Sequence, residues 1–244
     1  MRILVHGCTG RMGRMLTGLI ADSQRHTLAA GVSPSGAGEE FYPSLEAYAG
    51  PADCVIDFSN HAAAATLTAY CVQRGLPLVI ATTGQTEADM VHIRAAAEQI
   101  PVFYSANMSV GVALLADLAR QTARMFPDAD IEIVEKHHNQ KLDVPSGTAL
   151  MLANAIREAR PEAAFLVGRR DNGKRTKQEI GIHSLRYGSE VGTHEIIVST
   201  GSQTITLKHE AENRALFAEG ALTAAEFLVG KPAGLYTMTD LVNG

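Results

Sequence analysis

The chain has no tryptophan, three cysteines and only 5% aromatic residues among its 244. Cys8, Cys54 and Cys71 are scattered, with no C-x-x-C spacing. That pattern argues against a disulfide framework and a thiolate metal centre, and for a reducing compartment. No apolar run approaches the roughly 18 residues that a membrane-spanning helix needs. The opening MRILVHG lacks the layout of a secretory signal and reads as a buried strand. Charge of neither sign dominates: 21 basic against 26 acidic residues give a net −5, so no global basic field draws in nucleic acid. The expectation is a cytoplasmic protein with no nucleic-acid or membrane partner and no metal.

What is present is an ordinary globular composition, 46% hydrophobic and 19% charged, enough for one large or two small domains. Short apolar runs at residues 3–6, 27–32, 54–58, 76–81 and 101–104 alternate with helix-like segments at 11–22, 62–74 and 87–99. This alternation predicts a parallel sheet covered on both faces, in the doubly wound nucleotide-binding arrangement. After Asn107 the pattern changes. Residues 109–126 and 146–159 read as helices and 130–135 as a strand, while 179–187, 191–199 and 203–210 read as strands joined by short Gly-containing turns. Such turns predict antiparallel pairing. The polar stretch 168–177 reads as a mobile surface loop, and residues 213–230 as a helix returning to the first domain. The fold class is therefore α/β: a Rossmann-type parallel-sheet domain over 1–107, completed by 214–244, and a smaller α+β domain over 108–213. The smaller domain carries an open mixed, largely antiparallel sheet.

Two stretches carry chemistry. Gly7-Cys8-Thr9-Gly10-Arg11-Met12-Gly13 lies between the first strand and the first helix, spaced G-x-x-G-x-x-G. Glycines there permit a sharp turn and close approach of a pyrophosphate, and the free amides of the helix start point at the anion. Where an acidic residue usually meets the adenosine ribose, this chain has Ser33-Pro34-Ser35. The missing acid removes a repulsion against a 2′-phosphate, which favours NADPH or tolerance of both NADPH and NADH. Ala81-Thr82-Thr83-Gly84 and Ser105-Ala106-Asn107-Met108 also follow parallel strands, at the ends where such sheets bind ligands.

The second stretch is residues 135–149, EKHHNQKLDVPSGTA. Ser146 is a good helix N-cap, leaving the amides of Gly147 and Thr148 free as a carboxylate site, with Lys141 upstream as a further positive charge. No set of spaced ligands completes a zinc site around His137 and His138, so histidine and lysine beside an anion hole suit proton transfer. Neighbouring strand residues point to opposite faces, so both histidines can share one ligand only if the strand ends close to His137.

The stretch 135–149 resembles the signature of the dihydrodipicolinate reductase family (4-hydroxy-tetrahydrodipicolinate reductases). GCTGRMG, DFS at 57–59, ATTG at 81–84, SANMSVGV at 105–112 and VGTHE at 191–195 extend the resemblance over nearly the whole chain. It implies NAD(P)H-dependent reduction of a cyclic dicarboxylate in diaminopimelate and lysine biosynthesis by a homotetramer joined through the sheets of the second domain. It further implies that Gly7, Cys8, Thr9, Gly10, Arg11 and Met12 bind the pyrophosphate and that Ser33 lies at the ribose. Ala81, Thr82, Thr83, Ser105, Ala106, Asn107 and Met108 would line the nicotinamide side. His137 and Lys141 would handle protons, and His138, Gly147 and Thr148 would hold the substrate; Ser146, at the same helix start, is expected to touch it as well. Ala81 and Met108 depart from the glycine and phenylalanine of many members. Two alternatives share part of the pattern: another Rossmann-fold reductase of a small carboxylate, and a non-catalytic nicotinamide-binding redox sensor.

Overall fold

The computed structural model describes residues 1–36 and 38–244. It divides into two compact units, Met1–Ser109 with Ala215–Gly244, and Val110–Arg214.

The first unit is built on a seven-stranded sheet of order β12-β6-β5-β4-β1-β2-β3. The strands are β1 (Arg2–His6), β2 (Thr27–Val32), β3 (Phe41–Tyr42), β4 (Cys54–Asp57), β5 (Leu78–Ile80), β6 (Pro101–Tyr104) and β12 (Gly234–Tyr236). Every neighbouring pair is parallel. The expected strands are short because each is an apolar run stopped by glycine or a polar residue. Helices α1 (Arg11–Ala21), α2 (Ala64–Arg74), α3 (Glu87–Ala97), α6 (Ala215–Leu228) and α7 (Met238–Asn243) complete the unit. Leu16 and Ile20 of α1 are buried, as the predicted apolar face requires. Thr86 and Asp89 form a capping box that starts α3, and Gly75, at φ +61°, ends α2. Leu4, Val55, Leu67, Leu78, Ile80, Ile93 and Val102 lie in its core. The order of strands reverses between β1 and β4, so their carboxyl ends open the crevice where such sheets take ligands.

The second unit has a five-stranded sheet of order β11-β10-β7-β9-β8, formed by β7 (Asp130–His137), β8 (Ala164–Val167), β9 (Glu179–Arg186), β10 (Gly192–Ser199) and β11 (Thr204–Ala211). Helices α4 (Val110–Met125) and α5 (Gly147–Ala159) pack on it. Ile131 and Ile133 of β7, Ile196 and Val198 of β10, and Leu152 and Ile156 of α5 share its core.

The sheet is mixed, and one expected pairing is corrected. β10 is antiparallel to both β11 and β7, but β9 pairs with β7 in parallel and not with β10. Turn signals alone suggested a β9–β10 hairpin. The five residues between Arg186 and Gly192 instead carry the chain across β7. Two strand spacings are about 9.6 Å, well within the reach of five extended residues. The crossing loop pairs with the end of β7: Tyr187 N donates to His137 O at 3.0 Å, and His138 N donates to Glu190 O at 2.8 Å. Residues 168–177 form no helix or strand, yet Arg175 within them is tied to Glu132 Oε1 at 2.6 Å and to Glu179 O at 2.7 Å.

Candidate active site

In the first unit, β1 ends at His6 and the chain turns through residues 7–10 into α1. The amides of Gly7 and Cys8 donate to Val32 O at 2.8 and 3.4 Å, and that of Gly10 donates to Gly7 O at 3.0 Å. Gly10 is the N-cap of α1, no side chain caps it, and Arg14 N to Gly10 O, at 2.9 Å, closes the first turn. The amides of Arg11, Met12 and Gly13 therefore stand at an open helix start, the donor set a pyrophosphate takes. Gly13 rests on the loop: a Cβ there would overlap the Gly7 carbonyl oxygen. Gly13→Ala is expected to push α1 off the loop, at a cost of about 1–3 kcal/mol, and to weaken nucleotide binding. Thermal melting and fluorescence titration with NADPH check this, and an unchanged affinity would remove the loop from the cofactor site.

At the end of β2, Thr9 Oγ1 lies 2.6 Å from Ser33 Oγ and 3.1 Å from Ser35 Oγ. Asp57, which has no assignable role in the sequence pattern, is a hub in the structure. It is 1% exposed and accepts from Thr82 Oγ1 at 2.7 Å, from Ser59 N at 3.1 Å and from Ser59 Oγ at 2.5 Å. Its Oδ1 also lies 2.8 Å from His6 Nδ1. One carboxylate thus joins the ends of β1, β4 and β5. Cys8, Ser33, Ala81, Thr82 and Met108 are buried, whereas Arg11, Thr83 and Ala106 are exposed. Ser105 Oγ donates to Asn107 O at 2.7 Å and accepts from Asn107 N at 3.2 Å, which folds that segment on itself.

In the second unit, β7 ends at His137, so the geometric condition for the histidine pair is met. Ile131, Ile133, Glu135 and His137 alternate onto the core face and are all buried. Glu135 is fully buried and uses both oxygens. Oε1 accepts from Arg186 Nη2 at 2.7 Å and from Ser146 N at 3.2 Å; Oε2 accepts from Arg186 Nη1 at 2.8 Å and faces His137 Nδ1 at 2.5 Å. Burial pushes this carboxyl up, but the bonds from His137 and Arg186 outweigh it and hold the group well below the ordinary carboxylate range.

His194 of β10 stands opposite Glu135 in the register, its ring edge-on to that of His137 with centroids 5.2 Å apart. Burial, with His137 alongside, pushes its imidazole down to about 3, so it stays neutral in ordinary buffers. His194 Nε2 lies 3.1 Å from Ser146 Oγ, which also accepts from Ala149 N at 3.1 Å as the N-cap of α5. Ser146, expected to touch substrate, is thus 2% exposed with hydroxyl and amide both engaged. Gly147 is exposed and Thr148 half-buried in the first turn of α5.

Lys141 Nζ pairs with Asp143 Oδ1 at 2.8 Å. The Lys141 ammonium, with the Gly147 amide adding to it, holds the Asp143 carboxyl below its usual range. A carboxylate therefore already faces Lys141 and the start of α5. The half-exposed His138 is held through its backbone, accepting from Lys141 N at 3.2 Å. Glu135, Arg186 and His194 were missed as site residues. The available signal was period-two: a carboxylate and two histidines at inward positions of apolar strands need partners.

Family models for dihydrodipicolinate reductase match the chain over residues 1–108 (N-terminus) and 111–242 (C-terminus). The 4-hydroxy-tetrahydrodipicolinate reductase of Caldanaerobacter subterraneus subsp. tengcongensis is 43% identical, covering 99% of this chain and 98% of the relative. That of Clostridium tetani is 42% identical over 99% and 97%. Among solved structures, a dipicolinate-bound dihydrodipicolinate reductase from Paenisporosarcina sp. TG-14 superimposes with a TM-score of 0.81 at 26% identity, covering 97% of each chain. A probable dehydrogenase from Thermotoga maritima, with a TM-score of 0.60 at 12% identity, shares the fold.

Proposed function

The chain belongs to the dihydrodipicolinate reductase family, and on that premise we propose that it reduces 4-hydroxy-tetrahydrodipicolinate to tetrahydrodipicolinate with NADPH or NADH, a step of diaminopimelate and lysine biosynthesis. The observation that carries the reading is the single hydrogen-bonded network joining His137, Glu135, Arg186, Ser146 and His194 at the start of α5.

The reaction replaces a C–OH by a C–H: a hydride enters, water leaves and one proton is consumed. The amides of Arg11, Met12 and Gly13 would hold the pyrophosphate of a reduced nicotinamide cofactor, which would supply the hydride. The chain's own residues handle the dicarboxylate and the proton. Gly147 and Thr148 in the first turn of α5, with His138, receive one carboxylate; hydrogen bonds to a charged group contribute roughly 1.5–3 kcal/mol each. Lys141 exchanges Asp143 for a substrate carboxylate, so its charge stays compensated throughout. His137 or Lys141 supplies the acid for the atom on which charge gathers. Added substrate is expected to cause saturable oxidation of NADPH or NADH; binding without oxidation would favour the sensor alternative.

The hydroxyls of Thr9, Ser33 and Ser35, with no carboxylate among them, suit either cofactor at the ribose. Ser33→Asp is expected to raise KM for NADPH roughly tenfold over that for NADH, since a new carboxylate repels a 2′-phosphate. An unchanged ratio would take Ser33 out of the adenosine site. We further assign the protein to the cytoplasm, consistent with three free, buried cysteines, and to a homotetramer. The tetramer reading is supported by the half-buried Val134, Lys136, Glu195 and Ile197 on the opposite sheet face from the core residues. Among the described residues no helix is long and apolar enough to cross a membrane.

A further inference from the structure

We propose that Glu135, held by Arg186, is the positioning residue that fixes His137 as the Nδ1–H tautomer, so that every proton His137 exchanges passes through Nε2. The inference rests on the reading of His137 as a proton-handling group. Three observations carry it.

The first is the bond itself. The Glu135 carboxylate is an acceptor only, so the 2.5 Å contact with His137 Nδ1 requires the proton on that nitrogen. The second is the fork of Arg186, which grips both Glu135 oxygens at 2.7 and 2.8 Å. It keeps the carboxylate charged in a fully buried position and stops it from turning. The third is the far side of the ring. Gly192 lies across from His137, and a Cβ there would come within 3.0 Å of Nε2 and 3.3 Å of Cδ2. The missing side chain leaves room for the Nε2 edge. No group among the described residues bonds Nε2.

The chemistry follows. When imidazolium His137 gives its Nε2 proton to substrate, the neutral ring keeps Nδ1–H on Glu135, and solvent returns a proton to Nε2. The same carboxylate accepts the Ser146 amide at 3.2 Å, so one side chain sets both the tautomer and the start of α5.

The test is imidazole ¹⁵N NMR of the full-length, histidine-labelled protein in alkaline buffer, with the His137 signals assigned by their loss in His137→Gln. A pyrrole-type Nδ1 and a pyridine-type Nε2 are expected; the reverse would overturn the proposal, and this arm needs no variant at position 135. In Glu135→Gln the amide oxygen stays with Arg186 and the NH₂ turns to Nδ1, so the proton moves to Nε2. kcat is expected to fall about 10²- to 10⁴-fold with KM little changed. Gly192→Ala, which alters no charge, is expected to lower kcat by displacing the Nε2 edge. If His137→Gln loses turnover while Glu135→Gln keeps both turnover and tautomer, the positioning role is wrong and the site reading stands. If His137→Gln itself turns over normally, the site reading fails.

Discussion

Alanine at His137 or at Lys141 lowers turnover by about 10²- to 10⁴-fold, the range for loss of a positioned general acid, while affinity for NADPH stays at the parent value. The separation follows from the fold. Both residues belong to the unit Val110–Arg214, whereas the glycine loop belongs to the other unit. The two variants should differ in detail. His137→Ala removes a buried ring whose bonding partner is Glu135, so the loss falls on kcat. Lys141→Ala also strips Asp143 of the ammonium that holds its carboxyl low. An uncompensated carboxylate then faces the start of α5 and repels an anionic substrate, so KM rises as well. Steady-state kinetics with a parallel NADPH titration reads both effects. Near-normal turnover in both variants would sink the assignment of the acid.

Stability of the second unit is expected to fall steeply in mild acid. The His194 imidazole has an ordinary pKa of 6.5 and is pushed down to about 3 by burial in the folded chain. Between those values the unfolded chain binds a proton that the folded chain refuses, so stability drops as pH falls from 6.5 towards 3. At about 1.4 kcal/mol per pKa unit once the unfolded imidazole is fully protonated, His194 alone costs about 2 kcal/mol between pH 6.5 and 4.5. Burial lowers His209 as well, which adds a loss of the same sign. Glu135 joins below its ordinary value of 4.5: its folded pKa is depressed, so its contribution is present above 4.5 and lost as pH falls further. Urea titrations at pH 7 and 4.5 measure the difference, followed by circular dichroism because the chain has no tryptophan. His194→Gln should remove most of the loss between 6.5 and 4.5. A variant that keeps the parent pH dependence would contradict this cause.

The parallel sheet was legible because β1, β2, β4, β5 and β6 are apolar runs with polar or glycine stops. β3 and β12, of two and three residues, and the partly exposed β8 carry too little pattern to read. The path of β9 was not legible for a different reason. A turn reports on the chain beside it, and the insertion of β7 between β9 and β10 is a long-range event. The candidate site divides in the same way. His137, Lys141 and the helix start at Ser146 lie close in sequence and announced themselves. Glu135 sat unassigned beside them, since its meaning depends on Arg186, fifty-one residues away, and on complete burial. Asp57 likewise acquires its role from His6 and Thr82, which only the fold brings to it. Ser146 moved from an expected substrate contact to a group supporting the start of α5, because a buried hydroxyl that caps a helix and meets His194 is already engaged.

The central claim is that this chain moves a hydride from a nicotinamide onto a cyclic dicarboxylate. NADPH or NADH deuterated at the transferable position, incubated with the protein and freshly generated 4-hydroxy-tetrahydrodipicolinate, tests it most directly by mass spectrometry of the product. One deuterium per tetrahydrodipicolinate formed is expected, with product appearing in step with cofactor oxidation. Cofactor that binds but passes no deuterium to any product would contradict it.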